Sequence, residues 1–451
     1  VGFTGEPSEW VCDPIDNSAE ITFQNSSFAP NGLLLGTCVI AGAGEEMDGT
    51  YIEGVKQSSI SFWTDDINSD SQYPFGGGDG SSAEMAYEIS SPEQLAQLAY
   101  NTNLGYGYEN KYFVLTDDID LSGKQWMPIG ESQPFKGNFD GGGYSISEMV
   151  MTEDSSANIY GLFGYLSASG TIENLTIASG LINFSEAAGY GYFGGIVGYS
   201  EGLVKNCVNK ANISVINNDW TYAGGIAGMG NSDIMNYVWT SRIFGCRNEG
   251  DIQIGRIGSV GGIIGSQGNS LSTTYIDQCS NSGSITGGQN AEAGGIAGRI
   301  NNANTLGVIN CFNTGSVTSG DGTSNSVYAG GIVGYEYYSS VKNCYNTGDV
   351  TLLYSSIGNT FCGGISGHAD IAAINCFNVG NISGTGRSGE GINGSGIPSE
   401  NCYYLDTSTP STSISGMTAL NDAQMKNQVS YEDWDFPNIW SINKIDNNGY
   451  P

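Results

Sequence analysis

The sequence predicts an all-β protein whose main body is a parallel β-helix solenoid of about nine or ten coils, with helical or aromatic end caps and a small N-terminal β region. Three observations predict this fold. A Gly-Gly-Ile-x-Gly phrase recurs, and an Asn-Cys-x-Asn-x-Gly phrase follows it after a variable loop. The cysteines of the second phrase lie mostly 32 or 33 residues apart. The strand-like runs between turns are too short to be stable alone, so they are expected to stack.

The two phrases recur with little change through the middle of the chain. The first glycine of the pair falls at Gly194, Gly224, Gly261, Gly294, Gly330 and Gly363. The cysteine falls at Cys207, Cys246, Cys279, Cys311, Cys344, Cys376 and Cys402. In the clearest copy the three strand-like runs are residues 331–334, 340–344 and 348–352. A nearly constant period of this size is typical of repeat proteins.

An asparagine stands two residues after each of the first six cysteines, at Asn209, Asn248, Asn281, Asn313, Asn346 and Asn378. Asparagine tolerates left-handed backbone and bonds its neighbours, so a tight turn is predicted there. Stacked at one corner, these amides are expected to bond from coil to coil as an asparagine ladder.

The cysteine file is predicted to fill the core. An earlier copy of the phrase has Leu175 where later copies have cysteine, and free cysteine behaves as a small buried hydrophobe. Disulfides between neighbouring coils remain open at this stage, because the coil spacing lies within the usual Cα range. Metal or redox chemistry is a further alternative, although convergent thiolates usually need a histidine partner.

Residues 1–80 lack the repeat and are predicted to be an N-terminal β region or extension. Cys12 and Cys38 lie there, outside the cysteine file, and a disulfide between them is predicted for a secreted protein. The alternative is two unrelated buried thiols. The Gly-rich run at residues 76–82 is interpreted as a linker.

The remaining chain divides into three parts. Residues 81–130 are predicted to form an N-terminal cap and first coil, with a helix that begins at the N-cap Ser91 and Pro92. Residues 131–402 are the repeats. Residues 403–451 are predicted to form a C-terminal cap with a helical candidate at 419–427 and two tryptophans, Trp434 and Trp440.

The charge excludes several classes of partner. Forty-six acidic residues face 14 basic ones, for a formal net charge of −32. Nucleic acid and anionic membranes are bound through Lys and Arg, so neither is an expected partner. No apolar run approaches the ~20 residues that span a bilayer, so direct membrane insertion is not expected. The composition favours an extracellular surface.

Aromatic residues in the variable loops are the candidate ligand-binding residues. The longest loop, residues 229–242, carries Tyr237 and Trp239, and a later copy carries Tyr335 and Tyr337. Loops on one side of a solenoid often form its binding surface, so these four could bind a glycan. The alternative is ordinary packing of loops on each other.

Catalytic residues are sparse. Asp117, Asp118 and Asp120 form the best acidic cluster and could bind calcium, although a solvated strand edge is the alternative. His368 is the single histidine and is interpreted as structural. No Ser-His-Asp arrangement, phosphate loop or dinucleotide fingerprint is evident. The sequence therefore predicts a protein that is not an enzyme, with no cofactor other than calcium.

Asn-x-Ser/Thr sequons permit N-glycosylation in a competent host. The candidate acceptors are Asn25, Asn183, Asn212, Asn381 and Asn393. A sixth sequon, at Asn174, lies beside a core position and is not a candidate.

The repeats resemble those of GLUG-motif proteins, which occur on bacterial and some archaeal cell surfaces. The likeness extends upstream to residues 91–95, 112–121, 126–130 and 139–141, and downstream to residues 417–425, 434–435 and 449–451. It covers about residues 83–451. The resemblance implies a right-handed β-helix on a large secreted or anchored protein, with no catalytic residues in the repeats. Some relatives carry peptidase domains, but this chain has no His-Glu-x-x-His motif.

The functional expectation is a non-enzymatic, extracellular, adhesin-like or structural protein of the cell surface. It could be a subunit of a filament or layer, with other copies of itself or other surface proteins as partners. The alternatives are a polysaccharide lyase, a glycoside hydrolase or a carbohydrate-binding β-helix.

Overall fold

The computed structural model describes most of the chain. The described residues are 11–15, 18–22, 39–41, 61–152, 158–184, 190–216, 220–231, 241–268, 274–320, 326–353, 360–384, 389–409, 416–436, 438–443 and 446–451. They belong to two compact units, Val1–Ile60 and Ser61–Pro451. The division between these units falls after residue 60, twenty residues before the predicted boundary at residue 80. Trp63 donates its backbone N–H to the carbonyl of Gln125 (3.1 Å) and its indole N–H to the carbonyl of Leu121 (3.0 Å), which joins this segment to the second unit.

The first unit contains a three-stranded antiparallel sheet. Its strands are Val11–Ile15, Ser18–Thr22 and Val39–Ala41, in that spatial order. Cys12 lies in the first strand, whereas Cys38 lies outside the described residues. The Cys12–Cys38 disulfide remains a prediction.

The second unit is a parallel β-solenoid, which confirms the predicted fold class. In each turn the chain passes through four sheets, here numbered 1 to 4 in chain order. Sheet 1 precedes the glycine pair and stacks Ile159–Tyr160, Tyr190–Gly194, Trp220–Gly224, Gly258–Gly261, Ala291–Gly294, Val327–Gly330, Thr360–Gly363 and Gly389–Glu390.

Sheet 2 follows the glycine pair and has two arms. The first arm contains Phe163–Leu166, Val197–Ser200, Ala227–Gly230, Ile264–Gln267 and Ser366–His368. The second contains Gly76–Gly77, Tyr87–Ile89, Tyr112–Leu115, Asn138–Asp140, Thr171–Glu173, Leu203–Lys205, Ser241–Phe244 and Thr274–Asp277. The long strands Ala297–Ile309 and Val333–Lys342 run through both arms and join them.

Sheets 3 and 4 complete the turn. Sheet 3 stacks Ile119–Asp120, Ser145–Ser147, Thr176–Ile177, Val208–Asn209, Arg247–Asn248, Ser280–Asn281, Phe312–Asn313, Tyr345–Asn346, Phe377–Asn378, Cys402–Leu405 and Met417–Leu420. Sheet 4 stacks Met149–Met151, Gly180–Phe184, Asn212–Val215, Ile252–Ile254, Ile285–Thr286, Val317–Ser319, Val350–Leu352 and Ile382–Gly384. Among the described residues, sheets 1 and 4 each stack eight strands, so the predicted nine or ten coils are slightly too many. The extra predicted coils lie at the ends of the solenoid. There the turn that contains Tyr112–Leu115, for example, has strands in sheets 2 and 3 but none in sheets 1 and 4.

Caps cover both ends. The N-terminal helix Pro92–Asn103 begins at Ser91, whose hydroxyl accepts from the backbone N–H of Gln94 (3.3 Å), and it buries Leu95 and Leu98. The C-terminal cap has the short helix Asp422–Met425 and stacks Trp434 on Trp440 with ring centroids 4.3 Å apart. Its 3₁₀ turns are Gln428–Ser430 and Asp446–Gly449, and another 3₁₀ turn, Trp63–Asp66, precedes the N-terminal cap. The predicted helix at 419–427 is thus shorter than expected and begins after the strand Met417–Leu420.

The asparagine ladder is present in the solenoid. Every ladder residue is buried, and each side-chain Nδ2 donates to Oδ1 of the asparagine in the next turn at 2.7 to 2.9 Å, from Asn209 to Asn378. The same Nδ2 also donates to the carbonyl two residues ahead, as from Asn313 to Gly315 (2.7 Å). The ladder therefore ties successive coils together and satisfies the backbone at each corner.

The left-handed backbone lies elsewhere than predicted. It falls on the residue before the cysteine, with φ of 53° at Asn206, 51° at Asn310 and 53° at Asn343. Gly245 has the same role in its turn (φ 63°). The ladder asparagines do not have positive φ. The tight turn and the buried ladder thus use two different asparagines of the same phrase. The turn asparagines also bond from coil to coil nearer the surface, as from Nδ2 of Asn343 to Oδ1 of Asn310 (3.1 Å).

The seven file cysteines are fully buried and free, as is Cys362, which confirms that they pack in the core. They form no disulfides with one another. Instead, the thiol of Cys311 donates to the carbonyl of Ile309 (3.0 Å), and its Sγ accepts from the backbone N–H of Cys279 (3.4 Å). Leu175 is also completely buried, as expected for an apolar position.

Burial predicts that these thiols do not react in the folded protein. It raises the pKa of Cys207 and Cys246, and it raises the pKa of Cys362 to about 12, so the reactive thiolate is scarce at these positions. Hydrogen bonds from neighbouring groups outweigh burial at Cys311 and Cys376 and lower their pKa, so at these two residues the protection comes from exclusion of the reagent. We expect iodoacetamide at pH 8 to leave the buried cysteines unmodified in native protein and to modify them after denaturation, as measured by peptide mass spectrometry. Rapid modification of Cys344 in the native protein would contradict this packing.

Candidate functional site

The last glycine of each Gly-Gly-Ile-x-Gly phrase brings sheets 1 and 2 together. A Cβ at Gly298 would lie 2.4 Å from the backbone nitrogen of Val260 and 2.5 Å from the carbonyl oxygen of Gly265, so only glycine fits without a shift. Phe193 and Val197 are buried on the two sides of this corner, whereas the rings of Tyr192 and Tyr199 meet outside it, 5.5 Å apart. The corner is therefore concave toward solvent. We call this channel the groove.

Two stacked files of side chains form the walls of the groove. The sheet 1 wall consists, in register, of Tyr192, Tyr222, Ser259, Glu292, Tyr328 and Phe361. The sheet 2 wall consists of Tyr165, Tyr199, Met229, Ser266, Arg299, Tyr335 and His368. The groove is thus aromatic at both ends and polar in the middle.

The N-terminal end of the groove presents stacked tyrosines. Tyr192 stacks on Tyr222 with ring centroids 5.7 Å apart, and Tyr165 meets Tyr199 edge to face at 5.1 Å. Burial raises the pKa of Tyr192, Tyr199 and Tyr222, so their hydroxyls stay protonated and can donate hydrogen bonds. Flat rings with polar tips suit a ligand that has both apolar faces and polar edges.

A cleft of 370 Å³ opens where the aromatic end meets the polar middle. Its lining residues are Tyr192, Tyr199, Tyr222, Met229, Asn231, Ser266, Gln267, Gly268, Arg299 and Asn301. Nδ2 of Asn231 donates to the hydroxyl of Tyr199 (2.6 Å). Oδ1 of Asn231 and Oδ1 of Asn301 are buried without a hydrogen-bond partner in the described part of the chain. The cleft therefore offers two unused acceptors beside a tyrosine wall.

The polar middle contains an internally balanced charge pair. Oε1 of Glu292 accepts from Nη1 of Arg299 (2.9 Å), and its Oε2 accepts from the hydroxyl of Ser259 (2.7 Å). Burial raises the pKa of Glu292, while the neighbouring guanidinium opposes that shift. The guanidinium of Arg299 also lies over the ring of Tyr335, 4.8 Å from its centroid. Both groups are already partnered, which favours a binding role over acid–base catalysis.

The C-terminal end holds His368 within an aromatic stack. Its ring lies 5.0 Å from Tyr335, nearly parallel, and 5.4 Å from Tyr328. Burial lowers the pKa of His368, although Asp370 acts in the opposite direction. A neutral, half-buried imidazole that packs between rings fits the structural interpretation of this residue.

The structure brings only part of the predicted aromatic patch into one place. Tyr335 lies in the groove, as described above. Tyr337 is 37% exposed and contacts Tyr338, with ring centroids 4.4 Å apart. Tyr237 and Trp239 lie outside the described residues, so their part of the prediction stays open.

Calcium binding at Asp117, Asp118 and Asp120 stays a prediction, and all three carboxylates already accept hydrogen bonds. Each carboxylate binds a nearby backbone N–H: Asp117 that of Asp118 (2.9 Å), Asp118 that of Ser145 (2.7 Å), and Asp120 that of Ser122 (2.9 Å). Among the residues that the structure describes, no three His, Cys, Asp or Glu side chains are grouped for a metal ion.

The sequons differ in accessibility. Asn212 and Asn381 are exposed, Asn183 is partly exposed, and Asn25 lies outside the described residues. Asn393 is fully buried, which contradicts its prediction as a glycan acceptor because a folded chain offers no room for the sugar there. The other four remain predictions.

Sequence reasoning missed the main walls of the groove. Tyr192 and Tyr222 stand two residues before a glycine pair, and Tyr199 and Arg299 directly follow the last glycine of the phrase. Alignment of the copies on their glycines would have shown aromatic residues recurring at these two positions. The prediction instead used the long loops, because insertions there looked more specific.

The glycine corner, the cysteine and the ladder asparagine occur together in a known motif. Residues 325–351 match the family described as the GLUG motif. The chain contains a GLUG motif. In structural terms this GLUG motif carries the wall residue Tyr328, the pair Gly330 and Gly331, the core residue Cys344 and the ladder residue Asn346. The motif thus encodes one turn of the solenoid with its share of the groove.

Similar proteins extend the comparison beyond the GLUG motif. The chain is 30% identical over 217 residues to halomucin of Haloquadratum walsbyi, which covers 45% of this chain and 2% of that protein. It is 31% identical over 139 residues to a "Putative Gly-rich membrane protein" of Evansella cellulosilytica, covering 29% and 15% respectively. The chain therefore spans only a small part of these relatives. No helix among the described residues is long and apolar enough to cross a membrane.

A solved structure also resembles this chain. It is described as a putative immunoglobulin A1 protease from Bacteroides ovatus, with 22% identity and a TM-score of 0.42. The alignment covers 84% of this chain and 94% of that one. At this TM-score the likeness carries no argument about activity.

Proposed function

We propose that this chain is a non-enzymatic, surface-associated protein of adhesin-like character, in which a rigid solenoid supports a ligand-binding groove. The observation that carries the proposal is the groove itself, which has a cluster of stacked rings at each end and a balanced ion pair between them. Stacked rings provide contact area with little loss of conformational freedom on binding. The asparagine ladder gives these walls a fixed spacing.

Several observations support a surface location. The relatives include halomucin and a protein named for a membrane, and the chain carries a net charge of −32 with few basic residues. A strongly acidic surface favours solubility outside the cell and discourages binding to nucleic acid. Other copies of this chain or other surface proteins are the proposed neighbours, and the separate unit Val1–Ile60 is the part proposed to contact them.

Two measurements test the proposal. Antibodies against the chain should label intact cells of the producing organism, and mild protease treatment of those cells should remove the signal. The purified chain, incubated with neutral and acidic polysaccharides and with proteins, should release no product in a reducing-end assay or on a gel. Oligosaccharide release would support the lyase or hydrolase alternative and contradict the proposal, as would a purely internal location.

A further inference from the structure

We propose that the cleft beside Tyr222 binds an uncharged saccharide, whose sugar rings pack on the tyrosine wall and whose hydroxyls donate to Asn231 and Asn301. This inference rests on the proposed function, because it names the ligand class of the same groove. The saccharide is a hexose or N-acetylhexosamine chain that carries no carboxylate or sulfate.

The shape of the cleft follows from the sequence of the walls. Small residues, Ser259 and Ser266, stand in register between Tyr222 and Met229 on one side and Glu292 and Arg299 on the other. A turn with small side chains between two turns with large ones leaves a recess. The recess, 370 Å³ in volume, is lined by wall residues of these successive turns.

The rings give the cleft one apolar side. Tyr192 and Tyr222 are stacked with an angle of 19° between their planes, and they continue into the exposed stack of Tyr190 on Trp220 (6.1 Å, 16°). Tyr190 is 56% exposed and Trp220 is 43% exposed. Together these four rings form a platform beside the cleft. A sugar ring has flat faces made of C–H groups, which pack well on such a surface.

Two amide oxygens make the cleft selective for a ligand that donates hydrogen bonds. Oδ1 of Asn231 and Oδ1 of Asn301 are buried, and the described residues provide no donor to either of them. A buried acceptor without a donor is costly, so a ligand that brings hydroxyl donors gains more here than at an exposed amide. Hydroxyl groups at fixed spacing around a flat ring are the feature that distinguishes saccharides from apolar ligands.

The charges of the cleft favour an uncharged ligand. Arg299 is the one cation among the lining residues, and Glu292 already neutralises it at 2.9 Å. The net charge of −32 repels anions at long range. Uronic acids and sulfated sugars would therefore lose affinity relative to neutral sugars of the same size.

The test uses the full-length chain on an array of neutral and anionic oligosaccharides, followed by isothermal titration calorimetry with the best neutral binder. Tyr222→Ala should weaken binding at least about tenfold, because it removes the ring face. Tyr222→Phe should bind within about twofold of the parent chain, because it keeps that face. Asn231→Ala should weaken binding and provides a second variant if Tyr222→Ala does not fold.

Phe361→Ala is the matched control. Phe361 stands at the same position of the sheet 1 wall as Tyr222, four strands further along. That distance is about 19 Å at ~4.8 Å per strand, so a short oligosaccharide in the cleft should not sense the change. Equal loss in Phe361→Ala and Tyr222→Ala would overturn the assignment of the cleft.

Other outcomes are equally decisive. An empty array with folded protein, or a preference for uronic or sulfated sugars, would overturn this inference. If either of these results is obtained while intact cells still carry the protein and no product is released, only the saccharide inference fails and the proposed function stands. Product release from a bound saccharide would instead contradict the proposed function, because it would make the groove an active site.

Discussion

Replacing Asn313 with alanine is expected to lower the free energy of unfolding by on the order of 3–5 kcal/mol. Asn313 is fully buried, accepts from Nδ2 of Asn281 (2.8 Å) and donates to Oδ1 of Asn346 (2.8 Å) and to the carbonyl of Gly315 (2.7 Å). Its Oδ1 also accepts from the backbone N–H of Gly315 (3.2 Å). Alanine removes all four bonds and leaves the neighbouring groups buried. It also leaves a gap beneath Gly295, whose hypothetical Cβ would lie 2.3 Å from Cγ of Asn313.

Chemical denaturation followed by circular dichroism measures this effect, with Asn310→Gly as the control. Asn310 belongs to the same phrase and has φ of 51°, and the chain itself uses Gly245 at the equivalent position. Glycine adopts this backbone without strain and loses only the hydrogen bonds that the exposed Asn310 side chain makes with Asp277 and Asn343, so the control should lie within about 1 kcal/mol of the parent chain. If Asn313→Ala and Asn310→Gly were equally mild, the ladder would not be the feature that holds the coils together.

Replacing Glu336 with glutamine is expected to stabilise the protein at alkaline pH and to have little effect at acidic pH. Glu336 lies in the core with 1% of its surface exposed. Its Oε1 accepts a hydrogen bond from the hydroxyl of Ser366, while its Oε2 has no partner among the described residues. Burial raises the pKa of Glu336 from its ordinary value of 4.5 to about 8, although the Ser366 hydroxyl acts in the opposite direction.

The direction of the pH dependence follows from proton linkage. Below pH ~4.5 the carboxyl is protonated in both the folded and the unfolded chain, so it causes no penalty. Between pH ~4.5 and ~8 the unfolded chain releases this proton while the folded chain keeps it, so stability falls as the pH rises. Above pH ~8 the loss is complete and amounts to on the order of 5 kcal/mol. Glutamine carries no titrating proton and escapes this loss.

Unfolding curves of the two chains at pH 5, 7 and 9 provide the measurement. The advantage of Glu336→Gln should grow with pH. Asp370→Asn removes an exposed carboxyl 34 residues further along, whose charge also raises the pKa of Glu336, so it should show a much smaller advantage in the same direction. A constant difference between Glu336→Gln and the parent chain from pH 5 to pH 9 would show that this carboxyl is ionised, or solvated, in the folded state.

Much of the fold could be predicted because the repeat allows equivalent positions of successive turns to be compared. Leu175 at a cysteine position identified an apolar site, and the structure buries both residue types there. The ladder asparagines were identified from their spacing alone. The left-handed turn was assigned to the wrong asparagine, because both asparagines of the phrase tolerate that backbone and the sequence does not distinguish a buried side chain from a turn. Glu336 gave no signal, because it looks like a surface residue of a loop.

By itself, the sequence determined the period, the solenoid, the buried cysteine file and the end caps. The first three depend on residues that recur in every turn, and the caps depend on local helix and aromatic signals. Only the tertiary structure decided where the unit boundary falls, how many turns are complete and what forms the groove. The contacts that build the groove join residues about 30 positions apart, or residues on two sheets that meet at a glycine corner. The direction of a side chain at such a corner depends on how closely the two backbones approach, and that distance is a property of the packed coils.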